Sequence, residues 1–400
     1  MLLTVLRWTI LVGAVLPSVY YLVAIYCAWR FFRSRDEDSE GFTPPVSILK
    51  PVRGLDREAY ENFASFCRQD YPRYEILFGV ADQQEPAIPI IQKLIRDFPK
   101  LSIRLLIGCE DLGSNDKVNK LCRLVREARH DLLVISDSDI RVRADYLRSV
   151  VSPFRDPQVG VVTCTYVGLA ERRLWSELEA INLASNFLAG VLVARQLEGV
   201  KFSLGATIAI TRERLGEIGG FEALADFASE DFEVGNRVAA RGYRVKLSSC
   251  TVQTVCFSRT AKEFFEQHLR WAVGLRHSRP GGHFGWLLTQ GLPCSLAAMA
   301  VAPSALVAAG YLGAYLSLRL AMAWTVGVWG LRDELLKKKF WLLPLSDALG
   351  FLIWVLSFGC NRINWRGNRF YVRKGRLVPL VIHQREISTT KRDARKESGT

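Results

Sequence analysis

Cys-x-x-Cys is absent from this sequence, and no two histidines stand at a metal-ligand spacing. With nine scattered cysteines and five histidines in 400 residues, that absence excludes the usual zinc modules and leaves reduced thiols in a cytosol-facing protein. An excess of acid is missing too. Lys and Arg number 53 against 40 Asp and Glu, a net charge of +13, which suits an anionic membrane surface or an anionic substrate. Much of this basicity flanks apolar segments, so membrane adjacency is the economical account and no nucleic-acid partner is expected. No small-residue cleavage site precedes Arg30, Arg33 and Arg35. The apolar segment 9–29 therefore reads as a retained span, and the arginines at its C-terminal end place the central part of the chain in the cytoplasm.

Apolar residues make up 49% of the chain, with mean hydropathy +0.10 despite 23% charged residues. They concentrate at the two ends. From 284 to 331 the chain is apolar apart from Arg319, enough for two spans of about 20 residues each. Lys337, Lys338 and Lys339 come after it, then a third apolar segment, 340–359, containing Asp347. The basic stretch 362–376 comes next. Three full crossings would leave that stretch on the far side from the central domain, so one segment is expected to be re-entrant or interfacial, with 284–294 the preferred choice. Arg319 and Asp347 could pair with each other or with lipid headgroups.

Between these ends the pattern alternates strand and helix. Strands are expected at 46–49, 75–80, 103–107 and 132–135, with helices at 58–68, 89–98 and 117–129, a succession that implies a parallel, doubly wound sheet. The run Leu132-Leu133-Val134-Ile135 ends abruptly in Ser136-Asp137-Ser138-Asp139. A buried strand of this kind presents Asp137 and Asp139 at its C-terminal tip, where open α/β sheets bind ligands. Alternate residues of an extended chain point the same way, so Asp-x-Asp can aim two hard oxygen ligands at Mg²⁺ or Mn²⁺ bridging a diphosphate. Capping of the next helix is the competing account of the same tripeptide. Asp82 sits just past the second strand. Ser229-Glu230-Asp231 opens a helix, where a carboxylate can simply serve as a cap. Gln267-His268-Leu269-Arg270-Trp271 lies on an amphipathic helix over 261–276, where a guanidinium beside an indole can meet phosphate oxygens and a sugar face. The stretch 171–198 fits either a core helix or one lying on the membrane surface.

Taken together and in order, Asp82, Asp137-Ser138-Asp139, Glu230-Asp231 and Gln267-His268-Leu269-Arg270-Trp271 resemble the D, D, D, (Q/R)xxRW signature of GT-A glycosyltransferases. The closer resemblance is to the ceramide glucosyltransferase family and its bacterial, hopanoid-associated relatives. Supporting stretches are Val46-Ser47-Ile48-Leu49-Lys50-Pro51, Lys117-Val118-Asn119 and Trp365-Arg366-Gly367-Asn368-Arg369. The resemblance implies an α/β fold with a GT-A, mostly parallel sheet. Its parts would be an N-terminal anchor (1–33), a linker (34–45), a cytosolic catalytic domain (46–280), C-terminal membrane or interfacial helices (281–361) and a basic cytosolic tail (362–400).

It implies an integral membrane enzyme, with the bacterial inner membrane as the expected location, moving one hexose from a UDP-hexose donor to a lipid hydroxyl. The acceptor would be ceramide, a hopanoid or another hydroxylated lipid. Asp231 would be the base, with Gln267, Arg270 and Trp271 lining the diphosphate and acceptor end. Asp82 would meet the uridine, Asp137, Lys117, Lys50 and Pro51 would belong to the nucleotide-sugar site, and Asp139 with Asp137 would hold Mg²⁺ or Mn²⁺. Where the animal ceramide enzymes carry His-Pro, this chain has Asn186-Phe187, which leaves the acceptor open. A processive polysaccharide synthase is the rival within the fold, and one anchor with two or three later spans looks too few for a polymer channel. A nucleotide-binding transporter or scaffold is the rival outside it, and it leaves the acidic constellation without a role.

Overall fold

The computed structural model describes residues 1–34 and 41–380. Residues 35–40 of the linker and 381–400 of the basic segment lie outside the described residues.

Four parallel strands form one half of the central sheet: β1 (Val46–Pro51), β2 (Tyr74–Val80), β3 (Ser102–Ile107) and β4 (Leu132–Ile135), in the order β3-β2-β1-β4. They are near-continuous apolar runs because helices cover both faces. The period of two is visible in the core: Ile48, Ile76, Phe78 and Val134 pack on one side, while Leu49, Leu77, Leu133 and Ile135 pack on the other. The sheet continues through β7 (Ile208–Thr211), β6 (Val159–Leu169), β8 (Arg244–Val255) and the short β5 (Ile140–Arg141). Here β7 runs antiparallel to both β4 and β6, and β6 runs parallel to β8. β8 is one long, twelve-residue strand. A register shift opposite Cys164 and Thr165 interrupts its ladder with β6, and the irregularity hides the continuity in sequence. The strand order reverses direction beside β1 and β4, and Asp137 and Asp139 emerge there.

The stretch 362–400, read as a basic tail, carries a second sheet over its described part. Strands β9 (Arg362–Trp365), β10 (Asn368–Arg373) and β11 (Arg376–Pro379) form an antiparallel meander. The two connections, Arg366-Gly367 and Lys374-Gly375, have all four residues at positive φ, the geometry of two-residue hairpin turns. Charge dominates the composition, yet Ile363, Phe370, Val372 and Leu377 point to one face and pack with Val273 of the helix Ala261–Ser278. One edge of this sheet docks on the chain ahead of residue 229: Leu377 N–H donates to the Asp226 carbonyl (2.7 Å) and Ala228 N–H to that of Gly375 (2.9 Å).

Among the described residues, four helical segments are long and apolar enough to cross a membrane: Leu2–Arg33, Leu174–Glu198, Ala305–Gly330 and Phe340–Gly359. A fifth, Pro280–Thr289 with Gly291–Val301, is bent by 53° at its break. That bend falls in the segment expected to lie at the interface, and the Tyr21 hydroxyl pins it by donating to the Thr289 carbonyl (3.2 Å) and accepting from Gly291 N–H (3.2 Å). The Leu174–Glu198 segment is 72% buried, so the core reading of this stretch fits the structure better than a helix lying on a surface. Its middle turn, Leu183–Phe187, is a π-helix. Arg319 and Asp347 pair with each other, with Arg319 Nη2 to Asp347 Oδ1 and Nε to Oδ2 both at 2.9 Å. Tyr315 Oη (2.9 Å) and Asn186 Nδ2 (3.2 Å) also donate to that carboxylate, and Arg319 Nη2 donates to Ser185 Oγ (3.1 Å). These bonds satisfy most of the buried pair, as the cost of burying charge demands, and among the described residues Arg319 Nη1 is left without a hydrogen-bond partner.

Candidate active site

The loop after β4 is held from beneath. Lys50, the fifth residue of β1, is fully buried, donates from Nζ to the Asp137 carbonyl (2.6 Å) and lies 3.8 Å from the Phe66 ring centroid. Burial drives its ammonium down to about 7, against the pull of Asp139, Asp137 and Asp56. At this buried position Lys50 props the acidic loop from beneath. Pro51 ends β1 and is buried in the sheet.

Asp137, in the loop after β4, and Asp231, in the first turn of the helix Glu230–Ala240, meet over Gly205, in the turn between Leu204 and Thr207. A Cβ at Gly205 would stand 2.9 Å from Asp231 Oδ2 and 3.3 Å from Asp137 Oδ2, so any side chain here would press on both carboxylates. Lys117 bridges the same pair of elements, with Nζ 2.6 Å from Asp137 Oδ1 and 2.8 Å from Glu230 Oε1. Asn115 caps the lysine's helix, accepting from the N–H groups of Lys117 and Val118, and its amide donates to Glu230 Oε2 (3.0 Å). The three carboxylates around Lys117 keep its ammonium charged despite burial.

Asp231 is the second residue of the helix Glu230–Ala240, and its Oδ1 accepts from Phe232 N–H (2.8 Å). It thus uses a helix N-terminus as the capping reading required, yet its other oxygen faces the crevice. Burial raises its carboxyl to about 6, helped by Glu230 and opposed by Lys117. Asp139 accepts from Thr254 Oγ1 (2.8 Å), and burial with the neighbouring charges of Asp137 and Asp56 raises it to about 7. Among the described residues no three His, Cys, Asp or Glu side chains form a ready-made metal cage. Two carboxylates that repel each other at a buried loop are nevertheless what a hard dication relieves, with diphosphate oxygens completing its shell. The residues fit a divalent ion held jointly with substrate.

The capping box of Thr260 and Glu263 starts the helix that carries Gln267 and Arg270 to the same crevice. Gln267 Oε1 accepts from Arg270 Nη2 (3.2 Å), which fixes the guanidinium. Burial lowers Arg270, while Glu230, Asp231 and Asp137 hold its charge from across the crevice. Trp271 lies edge-on to His268 on the more exposed side of the helix, 36% exposed, and 5.9 Å from the guanidinium. A second indole, Trp365 of β9, lies nearer at 5.4 Å. Asp82 lies just past the C-terminal end of β2, where its Oδ1 accepts from Gln84 N–H (2.7 Å).

Sequence reasoning assigned no role to Asp56, Tyr166 or Gly205. Asp56, 8% exposed, accepts from Ser138 Oγ between the two loop aspartates. Tyr166 of β6 is held protonated by burial and by Asp231, Asp137 and Asp139, and its ring lies 5.1 Å from Phe187. No spacing in the sequence links these residues to the acidic loop, because each comes from a different part of the sheet.

A family model described as Glycosyl transferase family 21 matches residues 9–378. Ceramide glucosyltransferase 3 of Caenorhabditis elegans is 29% identical over 266 residues, covering 65% of this chain and 57% of that protein. Ceramide glucosyltransferase 1 of the same organism is 28% identical over 265 residues, covering 65% and 56%. A ceramide glucosyltransferase of Gibberella zeae is 35% identical over 127 residues, 29% of this chain and 24% of that one. The matched part thus spans little more than half the length of the first two relatives. Among solved structures, a mannosyltransferase from Pyrobaculum calidifontis in complex with GDP-Man and Mn²⁺ is similar at 18% identity and TM-score 0.49, covering 87% of this chain and 99% of that one.

Proposed function

The chain belongs to glycosyl transferase family 21, and from that premise we propose that it moves one hexose from a UDP-sugar to the hydroxyl of a membrane lipid, with inversion. The names of its relatives favour glucose and a ceramide-type acceptor. The observation that carries this reading is the meeting of Asp231 and Asp137 over Gly205. It puts a base and a donor-binding carboxylate on either side of one small space.

In the proposed reaction the acceptor oxygen attacks the anomeric carbon from the Asp231 side. The bond from that carbon to the β-phosphate oxygen breaks, its electron pair leaves with UDP, and the acceptor proton passes to Asp231. A carboxyl raised to about 6 is ionised at neutral pH and still basic enough for this role. Asp137 and Asp139 would hold Mg²⁺ or Mn²⁺, which supplies charge neutralisation at the leaving diphosphate. Arg270, aimed by Gln267, adds a fixed cation on the same group, and Lys117 keeps Asp137 and Glu230 in register. Asp82, at its strand tip, is assigned to the uridine. We place the catalytic domain on the cytoplasmic side because Arg30 and Arg33 occupy the last turn of the first membrane helix.

The acceptor side is apolar. Phe232, next to Asp231, stacks on Phe202, and both join Phe187 and Tyr166 in one cluster with the membrane helices through Phe31 and Tyr315. A lipid tail leaving the site in that direction would stay in apolar surroundings. The test is incubation of the detergent-solubilised protein with UDP-glucose and ceramide, or with a hopanoid polyol, then lipid mass spectrometry of the products. One added hexose of inverted configuration is expected. A ladder of sugars, or UDP release with no sugar on any lipid, would overturn the proposal.

A further inference from the structure

The hairpin turn between β9 and β10 takes no part in the proposed reaction, yet it is built into the wall of the crevice. Its Arg366 (φ 46) and Gly367 (φ 84) both adopt left-handed conformations. At the first of these positions asparagine or glycine is the unstrained choice, so an arginine there costs backbone energy. The turn is tied down on both sides. On one side, Arg53, in the loop after β1, donates from Nη2 to the Arg366 carbonyl (3.1 Å), and Arg366 Nη1 donates to the Arg53 carbonyl. On the other side, the Trp365 ring lies 5.4 Å from the Arg270 guanidinium. The turn therefore reaches across from the helix carrying Arg270 to the loop carrying the acidic pair.

Its side chain is incompletely used. Arg366 Nη2 stands 3.7 Å from Asp56 Oδ1, beyond hydrogen-bond length, and Asp56 already accepts from Ser138 between Asp137 and Asp139. Arg366 keeps 38% of its side chain exposed, while Asp56 keeps 6%. A half-exposed guanidinium on a strained turn, loosely paired with a carboxylate beside the acidic loop, is a cation available to a stronger anion.

We propose that Arg366 is a second pyrophosphate-binding cation, which closes on the nucleotide diphosphate from beside the acidic loop and acts with Arg270. This rests on the nucleotide-sugar reading of the same crevice. In the bound state Arg366 leaves Asp56 for the phosphate oxygens, a contact that planar guanidinium geometry favours. The turn then acts as a clasp anchored through Arg53.

The test uses Arg366→Asn, because Asn-Gly is a favoured pair for this turn and the hairpin keeps its fold. Calorimetry on the detergent-solubilised full chain, with Mn²⁺ present throughout, would compare UDP with uridine. The expected result is UDP affinity lowered by about tenfold or more, the scale of a lost charge-assisted hydrogen bond, with uridine affinity unchanged. Unchanged UDP affinity in the variant would overturn the proposal. So would an equal loss for UDP and uridine, which would make the turn only a wall of the pocket. If the parent protein binds neither molecule, the nucleotide-sugar reading itself fails, and this inference falls with it.

Discussion

In the proposed reaction, burial is what would suit Asp231, a carboxylate at a helix start, to act as the base near neutral pH. Its pKa of about 6 arises from desolvation and Glu230, with Lys117 pulling the other way. Only the ionised form accepts a proton, so kcat/KM should rise with pH through about 6 and level off above it, falling about tenfold per unit on the acid side. A pH-rate profile checks the sign, and a rate flat from about pH 5 to 8 would place the base elsewhere. Asp231→Asn should leave UDP affinity nearly intact and lower turnover about a hundredfold or more, measurable by calorimetry beside steady-state rates. Gly205→Ala is a sharper test of the same geometry. The new methyl would stand 2.9 Å from Asp231 Oδ2 and 3.3 Å from Asp137 Oδ2. Turnover should drop although no functional group has been removed, and circular dichroism should be unchanged. The acidic residues were legible in sequence because an apolar run ending in carboxylates is a local signal. Gly205 was not, since its role depends on two side chains from a loop and a helix distant in sequence.

Elements differ in how openly they announce themselves. Strands β1 to β4 were visible because each is a short apolar run covered on both faces, a pattern that survives without knowledge of partners. The meander β9 to β11 carries the same information in a different form, and charge obscured it. Alternating Ile363, Phe370, Val372 and Leu377, with Arg-Gly and Lys-Gly turns at two-residue spacing, are strand and hairpin signals in themselves. A reading weighted toward net charge passes over them. The helix Ala261–Ser278 shows how an element's start fixes a functional side chain. Thr260 Oγ1 accepts from Glu263 N–H (3.3 Å), and Glu263 Oε2 accepts from Thr260 N–H (3.3 Å). Thr260→Ala should cost about 1 kcal/mol of stability. Thermal unfolding would report that loss, and Arg270 should be aimed less well, so kcat should fall more than UDP affinity.

Across the whole molecule, the central sheet and the apolar helices share one apolar cluster, and among the helices the buried Arg319–Asp347 pair is the polar contact with most at stake. The sequence offered two fates for these residues, mutual pairing or lipid headgroups, and could not choose, because the choice depends on how two helices face each other. Their bond also reaches the π-turn Leu183–Phe187 through Ser185 and Asn186. Phe187 of that turn lies against Tyr166 at the crevice. Truncating one partner leaves a buried charge unpaired, whereas replacing both with apolar residues removes the penalty along with the pair. Asp347→Leu alone should therefore destabilise the protein by about 3–5 kcal/mol, and Arg319→Leu with Asp347→Leu should recover most of that loss. Thermal denaturation of the two single variants and the double variant in one detergent would measure the coupling. If the losses of the single variants simply add in the double, the pair does not hold the helices together. If stability returns but lipid-acceptor KM stays high while UDP affinity is normal, the pair's second role is to set the wall formed by Phe187 and Tyr166, on the acceptor side of the site.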